Sequence, residues 1–222
     1  MACDRKERDP KVEARKLLMW RATREKRALI CFTGYSGALG QVDPEQFRDF
    51  ALGLNLFDRV RVLKPSYRQW KDPGFQNREF SRHLQRVREL SDSGVTLYYF
   101  GTSIGGFAAL RLAAESDCVG VLATKPPIDI SQLRGGKGAS CDFTSLHSVR
   151  SRLPTTLALY SRDDEGASHH YRQATFFQGL RGAEVSILDS FDVPTAVENG
   201  NLAGYFERLI EKSGPRTQEG SI

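Results

Sequence analysis

Short apolar segments recur along the chain, and segments with a different periodicity separate most of them. Each apolar segment has the length of a strand and is bounded by Gly, Pro, Asp or Ser. They occupy residues 28–34, 59–65, 95–101, 118–124, 155–161 and 184–190. Between them, apolar residues repeat at helical spacing in PEQFRDFALGL, NREFSRHLQRVREL, GGFAALRLAAE, YRQATFFQGL and LAGYFERLIEK. Apolar strands that alternate with such helices predict an α/β fold, a mainly parallel, doubly wound sheet of about six strands with helices on both faces.

The length of the chain, 222 residues, favours one domain with a single buried core. We place this domain at residues 28–212 and expect a basic helical extension before it, over 1–27, and a disordered tail over 213–222. The connection 126–154 is long, and long connections in compact domains tend to be binding loops or lids. We therefore treat it as a candidate lid.

Composition and charge narrow the function classes. No stretch approaches 18 uninterrupted apolar residues and the N-terminus is charged, so we expect a cytoplasmic protein without a membrane span or export signal. The net charge is +5, but 27 acidic residues are interspersed with 32 basic ones, which disfavours a nucleic-acid partner. The four cysteines are widely spaced without a C-x-x-C motif, so we predict no disulfide and no metal site. We also predict no cofactor, and the oligomeric state stays open.

The segment LYYFGTSIGGFAAL, residues 97–110, contains the motif of chemical interest. Residues 101–105 fit G-x-S-x-G, with a predicted strand directly before the motif and a predicted helix directly after it. Such a turn holds its serine in a strained backbone, so the neighbouring positions must lack side chains, as Gly101, Gly105 and Gly106 do. Ser103 is therefore either a catalytic nucleophile or part of a retained turn without chemistry, and the context favours the nucleophile.

On these residues the chain resembles the α/β-hydrolase superfamily, over about residues 28–212. GTSIGGFAAL is similar to the GxSMGG elbow of bacterial serine hydrolases, CFTGYSGALG resembles their oxyanion loop, and LYSRDDE resembles the strand end that carries the acid. The elbow is the specific part of the resemblance, and the other two segments match by position. The resemblance implies a hydrolase that forms an acyl-serine with an ester or thioester, a small-molecule acyl substrate.

The resemblance also implies partners for Ser103. The backbone amide of Ile104 and one amide of the preceding oxyanion loop, that of Gly34 or Tyr35, would donate to the oxyanion. The orienting acid would be Asp164, with Asp163 as the close alternative. Adjacent acids at a strand exit could equally form a solvated turn.

The base is where the sequence departs from the family. The family places a histidine in the loop after the last strand, near Asp192, and EVSILDSFDVPTAVENG contains none. His169 or His170 could reach Ser103 instead, because the loop after strand 155–161 opens on the same edge of the sheet as the elbow. Both could also face solvent, and His147 in the candidate lid is a further alternative. We expect His83 at the surface of a polar helix.

Two other side chains are candidates for substrate binding. Lys125 follows the strand 118–124 at the edge where ligands bind in open α/β sheets, and it could hold a carboxylate or phosphate or be solvated. Trp70 lies in a loop with Tyr67 and Arg68, a mixture suited to an aromatic or anionic group. The main alternative to an enzyme is a catalytically silent relative that serves as a ligand-binding or scaffolding module. A binder of anions or nucleic acid through the basic N-terminal helix is the least favoured hypothesis.

Overall fold

The structure, a computed structural model, describes residues 25–65, 73–130, 145–162 and 173–214, and their side chains except those of 73–77. Residues 1–24 of the predicted helical extension lie outside the described residues, as do the tail from residue 215 and the interior of the candidate lid, 131–144. Residues 25–27 are not helical, and Arg27 begins the first strand. Within the described ranges, no helix combines the length and the hydropathy needed to cross a membrane.

Six parallel strands form one sheet, as the apolar segments predict. They are β1 (Arg27–Phe32), β2 (Arg59–Leu63), β3 (Thr96–Thr102), β4 (Cys118–Thr124), β5 (Thr155–Ser161) and β6 (Ala183–Leu188). Their order across the sheet is β2-β1-β3-β4-β5-β6. The strand order reverses at β1, and ligands of open α/β sheets bind outside the carboxyl ends of the strands at such a reversal. The turns that follow β1 and β3 therefore meet where a site is expected.

Five α-helices of the described chain cover both faces of the sheet. They are α1 (Pro44–Gly53), α2 (Pro73–Ser91), α3 (Ile104–Ala113), α4 (Val193–Glu198) and α5 (Asn201–Ser213). Successive strand residues alternate between two cores, because side chains of a strand point to opposite faces. Ile30 and Tyr99 pack in the core shared with α2 and α3, whereas Leu29 and Tyr98 pack in the core shared with α1, α4 and α5. The predicted doubly wound architecture is confirmed.

Two helical elements differ from the prediction. The described part of YRQATFFQGL contains a short 3-10 helix, Ala174–Phe177, where the periodicity predicts an α-helix. The sequence analysis also missed α4, which has six residues and is too short for a periodic pattern to stand out. This short helix matters because the loop that leads into it borders the candidate site.

The prediction that His83 lies at the surface is wrong. His83 and Glu79 are each about 8% exposed and lie one turn apart on the buried face of α2. The His83 Nε2 is 3.5 Å from Glu79 Oε1, and burial holds the pKa of the imidazole below its usual value. Glu79, one turn before His83, lowers the cost of burying the imidazole. The polar composition of the helix does not reveal that these two residues face the core together.

Helix α3 is buried along its whole length, which fixes the segment that carries Ser103. Its one charged residue, Arg111, donates to Glu115 at 3.0 Å and lies 5.2 Å from the centre of the Phe80 ring. Glu115 also pairs with Arg152 at 2.8 Å, at the end of the 3-10 helix His147–Arg152. These contacts hold α3 against α2 and against the C-terminal part of the candidate lid.

Candidate active site

Ser103 occupies a tight turn between β3 and α3. Its φ of 50° and ψ of −125° are unusual for a residue with a side chain, and the residue is exposed although its neighbours are buried. The Ser103 N–H donates to the carbonyl of Thr124 on the adjacent strand at 2.7 Å. The turn is thereby anchored to β4, and the hydroxyl is presented to solvent at the carboxyl edge of the sheet.

The glycines around Ser103 stand where the fold admits no side chain. A Cβ on Gly101 would lie 2.2 Å from the carbonyl oxygen of Gly105, and a Cβ on Gly105 would lie 2.2 Å from that of Phe32. A Cβ on Gly106 would lie 3.1 Å from the carbonyl oxygen of Gly101. The first turn of α3 therefore packs directly on the backbones of β1 and β3, which fixes Ser103 relative to the loop after β1.

Ser103 lines a small cavity at this edge of the sheet. Its walls are formed by residues 40–41, by the ends of β3 and β4, and by residues 191–193 before and at the start of α4. A Cβ on Gly40 would lie 2.6 Å from Val193 Cγ2, so the turn after β1 and the start of α4 are in direct contact. The cavity has a volume of about 130 Å³. A cavity of about 150 Å³ holds a benzene ring, so the space suits a small acyl group.

Unusual backbone conformations concentrate around this cavity. Four residues other than glycine have a positive φ in the described ranges, namely Gln41 (76°), Asn55 (57°), Ser103 (50°) and Lys125 (50°). All except Asn55 line the cavity, and asparagine tolerates this conformation best of the four. Such conformations cost roughly 1–3 kcal/mol each and tend to occur at functional sites. The clustering therefore supports a functional role for the cavity.

The predicted oxyanion donors differ in their hydrogen bonds. Ile104 is the first residue of α3, and its N–H has no carbonyl acceptor among the described backbone groups. The Gly34 N–H donates to the carbonyl of Ala38 at 2.9 Å and is therefore used inside its own loop. This hydrogen bond makes Gly34 the weaker of the two candidates in the loop. The amide of Tyr35, a residue that is 60% exposed, is the alternative that we retain.

Asp192 lines the cavity, and the resemblance to α/β-hydrolases implies a histidine near this position. Its carboxylate caps α4 and accepts from the Thr195 N–H at 2.9 Å. The hydrogen bonds from Thr195, together with the positive charge of Lys125, hold the pKa of this carboxyl below its usual value. An acid with a low pKa is a weak proton acceptor, so Asp192 is no substitute for the missing imidazole.

We expect Asp192→Ala to lower the free energy of unfolding by about 1 kcal/mol at pH 7, because α4 loses its N-cap. The pKa of Asp192 is lower in the folded protein than in the unfolded chain, so the stabilisation is fully present above about pH 4. It is lost as the pH falls through the folded pKa. Urea unfolding of both proteins from pH 7 to pH 3 tests this. Glu207→Ala, which removes an exposed carboxylate, is the control and should leave the free energy of unfolding nearly unchanged. If the difference in free energy of unfolding between the wild-type protein and Asp192→Ala did not change with pH, the ionised Asp192 carboxylate would not be what stabilises α4.

The structure separates the remaining predicted residues into two groups. No histidine lines the Ser103 cavity in the part of the chain that the structure describes. His147 lies at another cavity, of about 540 Å³, with its ring 5.2 Å from that of Phe176, which does not favour His147 as the base. The other predicted residues lie outside the described residues: Asp163, Asp164, His169, His170 and Trp70.

Other parts of the described chain offer weaker candidate sites. A cavity of about 580 Å³ lies at the amino ends of β5 and β6, opposite the edge where such sheets bind ligands. No three His, Cys, Asp or Glu side chains of the described residues are close enough to hold a metal ion. Cys31 and Cys118 are buried free thiols, whereas Cys3 and Cys141 lie outside the described ranges.

Sequence reasoning missed residues 40–41, Phe191 and Val193 as walls of the cavity. Leu39 and Val42 exchange two backbone hydrogen bonds across a two-residue turn, with Gly40 and Gln41 both at positive φ. The pair Gly40-Gln41 between the apolar residues Leu39 and Val42 is a recognisable signal of a two-residue turn. Nothing in the local sequence indicates that the turn would pack against residues 191–193.

Comparisons with known proteins establish the fold. No family model matches the chain, and no curated protein matches its sequence. A Xanthomonas campestris protein described as a hydrolase of the alpha/beta superfamily matches with a TM-score of 0.54 at 14% identity, over 84% of this chain and 99% of that one. S-formylglutathione hydrolase of Staphylococcus aureus matches with a TM-score of 0.56 at 10% identity, over 89% of this chain and 86% of that one. A hyperthermophilic esterase of Pyrobaculum calidifontis matches with a TM-score of 0.58 at 13% identity, over 87% of this chain and 79% of that one.

Proposed function

We propose, because the chain has the α/β-hydrolase fold, that this protein is a serine hydrolase that acts on an ester or thioester through an acyl-serine at Ser103. The observation that carries the proposal is the conformation of Ser103, an exposed hydroxyl on a strained turn at the head of the buried helix α3. A turn without chemistry would have no reason to retain this strain at a cavity. The proposal also agrees with the names of the structural neighbours, an S-formylglutathione hydrolase and an esterase.

In the proposed reaction, Ser103 Oγ attacks the carbonyl carbon of the substrate while a base takes the hydroxyl proton. The carbonyl oxygen becomes an oxyanion and accepts hydrogen bonds from the amides of Ile104 and Tyr35. The bond from the carbonyl carbon to the leaving oxygen or sulfur then breaks, and the base returns the proton to the leaving group. Water attacks the acyl-serine with help from the same base, which releases the acid and restores the hydroxyl.

We assign the base to His169 or His170 and the orienting acid to Asp164, with Asp163 as the alternative. Two facts support this choice. The loop that holds these four residues follows β5, and the carboxyl ends of parallel strands share one edge of the sheet, which is the edge where Ser103 lies. His83 is buried in α2 and His147 lines a different cavity, so neither is the better candidate.

A fluorophosphonate probe tests the proposal directly. We expect the probe to add covalently to Ser103, because an activated serine in an oxyanion site attacks phosphorus as it attacks a carbonyl carbon. Intact-mass spectrometry would show one adduct on the wild-type protein, and peptide mapping would place it on Ser103. Ser103→Ala should remain unlabelled, whereas Ser190→Ala, which removes an exposed serine outside the cavity, should be labelled normally. A wild-type protein that resists labelling would refute the proposal.

The second candidate function is a catalytically silent relative that keeps the cavity for binding or scaffolding. The observation that favours it is Asp192 in the place of the family's histidine, at a cavity that no histidine of the described chain lines. This candidate predicts no probe adduct and no effect of the His169→Ala or His170→Ala substitution on any measurable property. The labelling experiment therefore separates the two functions.

A further inference from the structure

We propose that Lys125 binds a carboxylate of the substrate, so that the site acts on half-esters or half-thioesters of short dicarboxylic acids. This inference rests on the proposed function of Ser103 and names the acyl group that the site takes. The scissile carbonyl would lie at Ser103 and the free carboxylate, at the far end of the same acyl chain, at Lys125. Its support comes from the position, the backbone, the charge and the space around Lys125.

Lys125 lies beside Ser103 on the neighbouring strand. Thr102 and Thr124 are partners in the register of β3 and β4, so the next residues of the two strands, Ser103 and Lys125, leave the sheet side by side. Adjacent strands are about 4.8 Å apart, and the hydrogen bond from the Ser103 N–H to the Thr124 carbonyl fixes this spacing. Both residues line the same cavity. An acyl group bound at Ser103 would therefore be within reach of the lysine side chain.

The backbone of Lys125, like that of Ser103, has a positive φ. Its φ is 50°, and its N–H donates to the Leu159 carbonyl at 2.6 Å, which holds the residue in this conformation. Glycine adopts a positive φ without strain, so a lysine at this position retains its side chain at a cost. Strain in a residue that lines a cavity points to a use for its side chain.

The charges around the cavity favour a singly charged anion. Lys125 is half-buried and shares the cavity with the carboxylate of Asp192. Lys125 already has an interaction within the protein, but an ammonium group has three donors and can hold a substrate oxygen as well. A doubly charged phosphate would be repelled more strongly by Asp192 than a carboxylate would.

The size of the cavity limits the acyl chain. Its volume of about 130 Å³ is slightly below that of a cavity that holds a benzene ring, about 150 Å³. A dicarboxylic acyl group of about four or five carbons fills such a space. Phe191 and Val193 line the cavity and supply an apolar wall for the methylene groups between the two carboxyl carbons.

Two esters of matched length test the proposal, the 4-nitrophenyl half-ester of glutaric acid and 4-nitrophenyl pentanoate. We expect the wild-type protein to have a kcat/KM for the half-ester at least about tenfold above that for the neutral ester, as a charge-assisted hydrogen bond would provide. Lys125→Met keeps the chain length and the backbone strain but removes the charge. It should lower kcat/KM for the half-ester at least about tenfold, mainly by raising KM. For the pentanoate ester, kcat/KM should stay within about twofold of the wild-type value.

Lys64→Met is the matched control. Lys64 is an exposed lysine just after β2 at the same edge of the sheet, outside the cavity, so the substitution makes the same change in net charge and should alter neither rate. Equal hydrolysis of the two esters by the wild-type protein, or equal losses of both in Lys125→Met, would overturn the role of Lys125 while the acyl-serine mechanism stands.

A binding experiment keeps the two proposals distinguishable. If neither ester is hydrolysed and the fluorophosphonate adduct is absent, the proposed function fails, and the carboxylate site is judged by calorimetry alone. Glutarate should bind to Ser103→Ala and bind at least about tenfold more weakly when Lys125→Met is added. Absence of glutarate binding, or binding that Lys125→Met leaves unchanged, would refute the site.

Discussion

Replacing His169 and His170 together with alanine is expected to lower kcat for an activated ester by about a thousandfold and to change KM by less than about threefold. A serine hydroxyl is a poor nucleophile near neutral pH, and a positioned general base contributes roughly 10²–10⁴ to the rate. The expectation also rests on the other two histidines, since His83 is buried in α2 and His147 lines a separate cavity. Steady-state hydrolysis of 4-nitrophenyl butyrate would measure it.

The single substitutions make this experiment sharper. One of His169→Ala and His170→Ala should reproduce the loss of the double variant, and the other should behave as the wild-type protein does. His147→Ala is the control on the far cavity and should retain its full rate, because that ring packs on Phe176. A double variant with normal turnover would show that no imidazole serves Ser103, and the proposed base would have to be abandoned.

The sheet could be predicted because its determinants are local. The four central strands are buried on both faces and read as continuous apolar segments, whereas the edge strands β2 and β6 are partly exposed. The predicted strand 118–124 coincides with β4, and the predicted strand 95–101 lies within one residue of β3 at each end. Glycines at 101 and 105 mark the turn between β3 and α3, because a side chain at either position would collide with backbone.

The cavity could not be predicted because its walls come from distant parts of the chain. The strand pattern places Lys125 at this edge of the sheet, but residues 40–41 and 191–193 reach it by loop packing, which no periodicity encodes. The direction in which the Gly34 N–H points could not be predicted for a similar reason. Its direction depends on a local turn in which Gly34 donates to Ala38 and accepts from Gly37. Hydrogen bonds inside a loop of this kind cannot be inferred from residue types alone.

Gly105→Ala is expected to lower the free energy of unfolding by at least about 3 kcal/mol. The new Cβ would lie 2.2 Å from the carbonyl oxygen of Phe32 and 2.9 Å from that of Thr33, and both are backbone atoms. Overpacking typically costs about 1–3 kcal/mol where side chains can move aside. Here the collision can be relieved only if α3 moves away from β1, so the loss of stability should reach or exceed the upper end of that range. Urea unfolding followed by circular dichroism measures it.

Gly204→Ala is the matched control for this prediction. Gly204 lies within α5, and a Cβ there would meet nothing within 4 Å, so alanine should stabilise the protein by about 0.5–1 kcal/mol through helix propensity. The comparison joins stability to chemistry, because the contact that excludes a Cβ at Gly105 also fixes Ser103 and the Ile104 amide at the head of α3. Molecules of Gly105→Ala that do fold should therefore react slowly with the fluorophosphonate probe. Normal stability together with rapid labelling would mean that this close contact does not position the nucleophile.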